Sequence, residues 1–356
     1  MHLRPVQFVD TPVGRDGEVA RLAGGLQWFA AYEVIGGTGR RVVPVAGFDD
    51  FVASLPDAQA ERAMLLANRI SAPRAAVTAG ERVLRFDQPQ VMAILNLTPD
   101  SFSDGGRHDG DPAAAAAAGV DMAATGAAIS DTGGGATRPG AAAVWEGDEI
   151  ARVVPVIERL AASGTPVSID TRKAAVMEAA LAAGAHIVND VSALLYDDRA
   201  AEVVARAGVP VVLMHSADPK RGAEGAMAGG NALTDTFDWL EARIDAAVAA
   251  GIDRAKIIVD PGIGFGKSLA ENMAILNGLS LFHGLGCPIL LGASRKRIVG
   301  ALSGEAPVEK RLAGSIALAL KAAEQGAQWV RVHDVDESVQ ALRVWRGLRD
   351  AALIAR

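Results

Sequence analysis

The sequence holds a single cysteine, Cys287, in 356 residues. No intrachain disulfide is possible and a cysteine-rich zinc site is excluded, a pattern that suits a reducing compartment. Positive charge is also short: the formal net charge is −7 and the pI is near 5.5. Such a chain has no global attraction for nucleic acid or for an anionic membrane, so any phosphate chemistry must rest on locally placed basic groups. The N-terminal "MHLRPVQFVD" lacks the basic start and apolar run of a signal peptide. No later segment gives the ~18 uninterrupted apolar residues of a membrane span. The expectation is a soluble cytoplasmic protein that binds neither nucleic acid nor membrane.

Half of the residues are hydrophobic, enough for a large core and long for one ordinary domain. From Val91 onward, short apolar runs alternate with helical stretches: "VMAILNLT", "AAISDTGG", "PVSIDT", "HIVNDVS", "PVVLMHS", "KIIVDPG", "PILLGAS" and "QWVRVHDV". Between them lie Ala-rich segments such as "RKAAVMEAALAAG", ending on a Gly that suits a helix end, and the alanines that follow the start signal Asp111-Pro112. Strands apolar on both faces and separated by helices indicate a parallel sheet covered by helices. Eight such units match a closed (β/α)8 TIM barrel of the α/β class. The alternative, an open doubly wound sheet, has no reason to stop at eight equal units.

Residues 1–88 read as a small α+β N-terminal extension, and residues 89–356 as the barrel. In the extension "LQWFAAYEVI" and "RRVVPVAGF" read as strands, and "FDDFVASLPDAQAERAMLLANRI" as helix. "SAPRAAVTAGERVLRFDQPQ" reads as a connecting segment. A packing or oligomer-contact module suits the extension better than a second catalytic site.

A barrel of this type keeps its chemistry at the C-terminal ends of its strands. Asn96, Asp131, Asp170, Asn189, His215, Asp260, Ser294 and His333 each fall at or just past the end of a different apolar run. Singly, each Asp or Asn is equally well read as a turn former or helix cap. The whole ring is harder to explain that way, because caps need not recur as carboxylates and carboxamides at every strand end. Asp170, Asn189 and Asp260 beside apolar Met214 and Phe265 would suit a flat heterocycle with an amino-amidine edge, whose paired N–H donors one carboxylate accepts. Lys296 would meet a ring carbonyl or nitrogen. Arg138, Arg331 and His333, with backbone N–H groups of Gly-rich loops, form an anion-binding set. Asn96, Asp100 and Asp104 offer the hard oxygens that Mg²⁺ prefers. His215 and His333 have no third His or Cys at a useful spacing for a transition metal. "DPGIGFGKS" imitates a phosphate loop but carries Pro261 where that loop requires Gly, so a tight strand-to-helix turn is the better reading.

Seven motifs, "NLTPDSFSDGG", "GGGATRPG", "SIDTRK", "NDVSA", "DPGIGFGK", "SRK" and "RVHDV", occur in an order that resembles the dihydropteroate synthases of the pterin-binding family, from about Val91 to the C-terminus. The resemblance implies condensation of 6-hydroxymethyl-7,8-dihydropterin diphosphate with 4-aminobenzoate, with Mg²⁺ as cofactor and a homodimer formed through barrel helices. It implies that Asp170, Asn189, Met214, Asp260, Phe265 and Lys296 hold the pterin. Asn96, Arg138, Arg331 and His333 are expected at the diphosphate, with Asn96 at the metal, and Asp104 and Asp131 are expected to order catalytic loops. Thr137, Arg138, Pro139 and Ser294 are expected around the aminobenzoate. The family's second loop normally reads "GGESTRPG", whereas Gly135 and Ala136 stand here in place of Glu and Ser. Restoring both is expected to lower KM for 4-aminobenzoate. Two rival readings share the pterin residues: a methyltetrahydrofolate-dependent methyltransferase, which has no use for the diphosphate and arylamine motifs, and a non-catalytic pterin-binding protein.

Overall fold

A computed structural model describes the chain apart from Thr38 and residues 99–110, 136–143, 217–229 and 355–356. The extension opens with a four-stranded sheet: β1 (His2–Val9), β2 (Ala20–Arg21), β3 (Trp28–Gly36) and β4 (Gly39–Pro44), all joined through β3. Strand β1 is not evident in the sequence because Pro5 interrupts it; it pairs opposite Tyr32 in the antiparallel ladder with β3. The long helical run divides into α1 (Phe48–Ala53) and α2 (Asp57–Ser71). Leu55 precedes Pro56, and a residue before proline is pushed out of the helical region. An aromatic cluster fills this layer, with Tyr32 ring centroids 5.0 Å from Phe29 and 4.5 Å from Phe48.

The extension is fastened to the barrel by charge as well as packing. Arg62 donates both terminal nitrogens to Glu241 at 2.8 and 2.7 Å, and Arg69 adds a third bond at 2.8 Å. Ser280 Oγ donates to Pro5 O at 2.9 Å.

The segment expected to be a plain connector contains a hairpin, β5 (Val77–Ala79) and β6 (Arg82–Leu84), turning at Gly80 with φ +61°. Val77, Ala79, Leu84 and Phe86 pack against Met92, Ile129, Ile187, Val212, Ile258, Leu290 and Trp329. Those seven are inward residues at the N-terminal ends of barrel strands, so the hairpin closes the barrel floor. The Phe86 and Trp329 rings lie 5.5 Å apart there.

The eight expected strands are all present: β7 (Gln90–Asn96), β8 (Ile129–Gly133), β9 (Val167–Asp170), β10 (Ile187–Asp190), β11 (Val211–Met214), β12 (Ile257–Asp260), β13 (Leu290–Leu291) and β14 (Trp329–Val332). They form one parallel sheet in the order β12-β11-β10-β9-β8-β7-β14-β13. A single parallel bridge, Val259 to Ile289, brings β12 to the start of β13 and closes the cylinder. Alternate strand residues such as Val91, Ala93, Val188, Leu213, Val259 and Val330 face a second apolar cluster shared with the helices. That double burial is why each strand reads as an unbroken apolar run.

The helices are α3 (Pro112–Thr125), α4 (Glu146–Ala162), α5 (Ala174–Ala182), α6 (Ala200–Ala207), α7 (Ala232–Ala249), α8 (Leu269–Asn277), α9 (Arg297–Leu302), α10 (Leu312–Glu324) and α11 (Val335–Leu353). Helix α3 starts as the sequence indicates: Asp111 accepts from Ala113 N at 2.8 Å, with Pro112 at the first helical position. Among the described residues, no helix is long and apolar enough to cross a membrane.

Candidate active site

Side chains on a strand alternate, so the positions two residues beyond the apolar floor also face inward. Those positions are polar at Asp131, Asp170, Asn189, Asp260 and Arg331, with Met214 between Asn189 and Asp260 in sheet order. Parallel register sets Asp170 beside Asn189 and Met214 beside Asp260.

One network ties four of these groups. Arg331 Nε donates to Asp131 Oδ2 at 2.5 Å and its Nη2 donates to Asp170 Oδ2 at 2.8 Å. Asn189 Nδ2 donates to the same Asp131 oxygen at 2.9 Å. One cation thus serves two carboxylates. Burial pushes the Asp170 carboxyl up to about 7, Arg331 pulling it down and Asp131 adding to the rise. Asp131 Oδ1 and Asp170 Oδ1 are buried acceptors that receive no hydrogen bond among the described residues.

Asp260 sits across the mouth, where burial raises its pKa against the opposing pull of Lys296 and of Gly262 N, which donates at 2.7 Å. Lys296 is lowered to about 8 by burial despite Asp260. Its Nζ donates to Ile263 O and stands 4.4 Å from the Phe265 ring centroid. His333 Nδ1 is 3.0 Å from Ser294 Oγ, which also accepts the His333 backbone N–H at 3.2 Å. Burial, with Arg331 next, holds that imidazole down to about 4, so it is neutral near pH 7.

The glycine turn after β12 is built for close approach. Gly262, Gly264 and Gly266 have φ of +69°, +80° and +65°, and a Cβ on Gly262 would fall 1.8 Å from His215 O. Lys267 does not act as a phosphate-loop lysine: its Nζ donates to Gly262 O at 2.8 Å and to His215 O and Phe265 O at 3.3 Å. His215, expected in the ring, turns its ring edge-on to Trp239 at 4.8 Å, and burial lowers it to about 3.

Asn96 ends β7 exposed at the mouth. Asp100, Asp104, Thr137, Arg138 and Pro139 lie outside the described residues. Among the described residues, no group of three His, Cys, Asp or Glu side chains could hold a metal ion. A lone carboxamide oxygen at the rim still suits Mg²⁺, which usually keeps several waters and leans on substrate phosphates.

A second network was not legible in the sequence. Glu149, in the first turn of α4, is only 3% exposed and accepts from Thr171 Oγ1 at 2.7 Å and Lys173 Nζ at 2.6 Å. Lys173 Nζ also donates to Val144 O at 2.6 Å, and Arg152 Nη1 donates to Gly134 O at 2.9 Å. Asp190 holds the loop after β10: its Oδ1 accepts from Ser192 N at 2.7 Å and its Oδ2 from Leu194 N at 2.9 Å. Ala193 and Leu194 there have φ of +50° and +64°, which non-glycine residues rarely adopt.

A closed parallel barrel with buried carboxylates, an amide and cations converging at one mouth defines a TIM-barrel enzyme site. The sequence matches the family described as pterin binding enzyme over residues 92–333. It is 45% identical to the dihydropteroate synthase of Bacillus subtilis over 248 residues, 69% of this chain and 84% of that one. The Mycobacterium leprae dihydropteroate synthase is 46% identical over 264 residues, 72% of this chain and 92% of the relative. A Xanthomonas albilineans dihydropteroate synthase solved with 4-aminobenzoic acid superposes with a TM-score of 0.72 at 46% identity, covering 77% of this chain and 98% of that one. The same enzyme solved with 7,8-dihydropteroate gives 0.69 at 44% identity, with 77% and 99% covered. The chain belongs to the pterin-binding enzyme family. Its extension precedes the matched region.

Proposed function

We infer that this chain condenses 6-hydroxymethyl-7,8-dihydropterin diphosphate with 4-aminobenzoate, releasing pyrophosphate and 7,8-dihydropteroate, the dihydropteroate synthase step of folate biosynthesis. The observation that carries the reading is the pair of buried carboxylates, Asp170 and Asp260, on either side of Asn189 and Met214, with Asp170 Oδ1 lacking a donor among the described residues. A pterin ring supplies N–H donors on one edge and a flat apolar face. Asp170, Asn189 and Asp260 accept and donate along that edge, Lys296 meets a ring acceptor, and Met214 and Phe265 cover the faces.

The bond from the pterin methylene carbon to the diphosphate oxygen breaks, and its electron pair leaves with pyrophosphate. The electron-rich ring spreads the resulting positive charge, which Asp170 and Asp260 stabilise from nearby. Arg331, His333 and Arg138 bind the departing phosphates, and Asp131 fixes the Arg331 guanidinium in position. The arylamine nitrogen, held by Thr137, Arg138, Pro139 and Ser294, attacks the carbon and sheds a proton to solvent or pyrophosphate. Mg²⁺ bound by Asn96 and phosphate oxygens would neutralise leaving-group charge. Asp104 is assigned to ordering the first loop.

The protein is proposed to work in the cytoplasm as a homodimer. Val344 and Leu348, one helical turn apart on α11, are 62% and 69% exposed, and Leu302 on α9 is 56% exposed. The Val344 and Leu348 pair on α11 is assigned to the homodimer contact.

Pyrophosphate release tests the reaction, with each substrate and Mg²⁺ omitted in turn. Release that requires all three supports it. Binding of the pterin diphosphate without release would mean a non-catalytic binder, and methyl transfer from methyltetrahydrofolate would mean the methyltransferase chemistry.

A further inference from the structure

Arg295 stands between Ser294, proposed for the aminobenzoate, and Lys296, proposed for the pterin, and its φ is +55°. That left-handed conformation is costly for a residue with a side chain. The turn does not hold itself there, since its internal bond from Lys296 N to Ala293 O is long at 3.4 Å. The holding groups come from the start of α10. Ser315 Oγ, in its first turn, accepts the Arg295 backbone N–H at 2.9 Å and donates to Arg311 O at 2.7 Å. Arg311, just before the helix, donates from Nη1 to Arg295 O at 3.0 Å and from Nε to Ala306 O at 2.8 Å. Both backbone polar groups of Arg295 are thus taken. Asp334, next to His333, receives the Arg295 guanidinium on both carboxylate oxygens, with Nε 3.0 Å from Oδ2. The support is closely packed: a Cβ on Gly314 would fall 2.3 Å from Val299 Cγ1, and one on Gly300 2.7 Å from Arg311 Nη2. The consequence for the two neighbours is unequal. Ser294 has an anchor of its own, because its Oγ also bonds the backbone N–H and imidazole of His333. Lys296 lies beyond the turn, so the backbone at 295 sets the direction in which its side chain runs to Ile263 O and the Phe265 ring.

We propose that Ser315 and Arg311 are positioning residues for the pterin substrate, holding Arg295 in its left-handed conformation and so aiming the Lys296 ammonium at the ring. They act through the peptide groups of Arg295, one on its N–H and the other on its carbonyl. Asp334 braces the same turn through the guanidinium. The proposal rests on the function inferred above and adds residues outside the set that the resemblance assigns.

The test is steady-state kinetics with both substrates varied, on Ser315→Ala, Arg311→Met and Arg311→Lys, with equilibrium binding of the pterin diphosphate and thermal melting measured on each. For Ser315→Ala the expected result is a KM and a dissociation constant for the pterin diphosphate raised about fivefold, the effect of one neutral hydrogen bond. KM for 4-aminobenzoate should change by less than about twofold, because Ser294 keeps its bond to His333. Arg311→Met, which removes a charge-assisted bond, should give about tenfold with the same asymmetry, and Arg311→Lys, which keeps a cationic donor, should recover most of it. Should Arg311→Met fail to fold, Ser315→Ala removes a single oxygen and carries the same comparison. Equal rises in both KM values, a rise confined to 4-aminobenzoate, a fall in kcat alone, or unchanged constants in every variant that folds would overturn the proposal. A wild-type protein that releases no pyrophosphate but binds the pterin would sink only the functional reading, and the binding comparison would then decide the positioning role. One that binds no pterin would overturn both.

Discussion

Arg331→Met isolates the central electrostatic arrangement, in which one guanidinium lies 2.5 Å from Asp131 and 2.8 Å from Asp170. Methionine fills similar volume but leaves two carboxylates buried together without a cation. Breaking a buried pair from one side costs about 3–5 kcal/mol. The pH dependence makes the test sharper. In the wild type Asp170 titrates near 7 in the fold against 3.8 as a free side chain. The folded state therefore holds an extra proton between those values, and this group's contribution to stability falls as pH rises through them, then levels off. Arg331 is the group that pulls the value down. Without it the folded pKa rises further, and the decline continues above pH 7 at about 1.4 kcal/mol per pH unit. Urea unfolding near about pH 6.5 and about pH 8.5 is the assay, and the destabilisation should be larger at the higher value. A loss below about 1 kcal/mol, or an equal loss at both, would refute the claim that the guanidinium pulls the Asp170 carboxyl down in the fold.

Gly262→Ala, forced to a φ of +69° with its Cβ 1.8 Å from His215 O, should lose more than about 3 kcal/mol in denaturant unfolding and weaken pterin binding through Asp260. Phe86→Ala should cost about 3–5 kcal/mol by thermal or urea unfolding while leaving both KM values unchanged, because its partner Trp329 lies at the floor and away from the mouth. Gly135→Glu combined with Ala136→Ser, expected from the family pattern to lower KM for 4-aminobenzoate, should instead raise it about threefold in steady-state assays, since Glu149 is held in place and repels a second carboxylate.

The eight strands were legible because each is buried on both faces, and the ring of Asn and Asp because each stands where an apolar run stops. Pairing was not legible. Nothing in "RVHDV" shows that Arg331 reaches Asp131 and Asp170, because sheet order and register decide which strand ends face one another. Pro261 already excluded Lys267 as a phosphate-loop lysine, and its amine is taken by three carbonyls. Glu149 reads as an ordinary acid in a helix's first turn, where such residues are common, and only the tertiary contact reveals its burial. The hairpin was missed because its strands are three residues each, bounded by Gly and charge. Helix α2 was read as continuous with α1 because the apolar spacing runs through Pro56.

The hairpin also decides where the chain can be divided. Trimming at residue 88 would discard Val77, Ala79, Leu84 and Phe86 together with the sheet, and leave the underside of the cylinder open to water. Shorter versions for expression should begin between Ser71 and Val77, so that this stopper stays with the eight strands it seals.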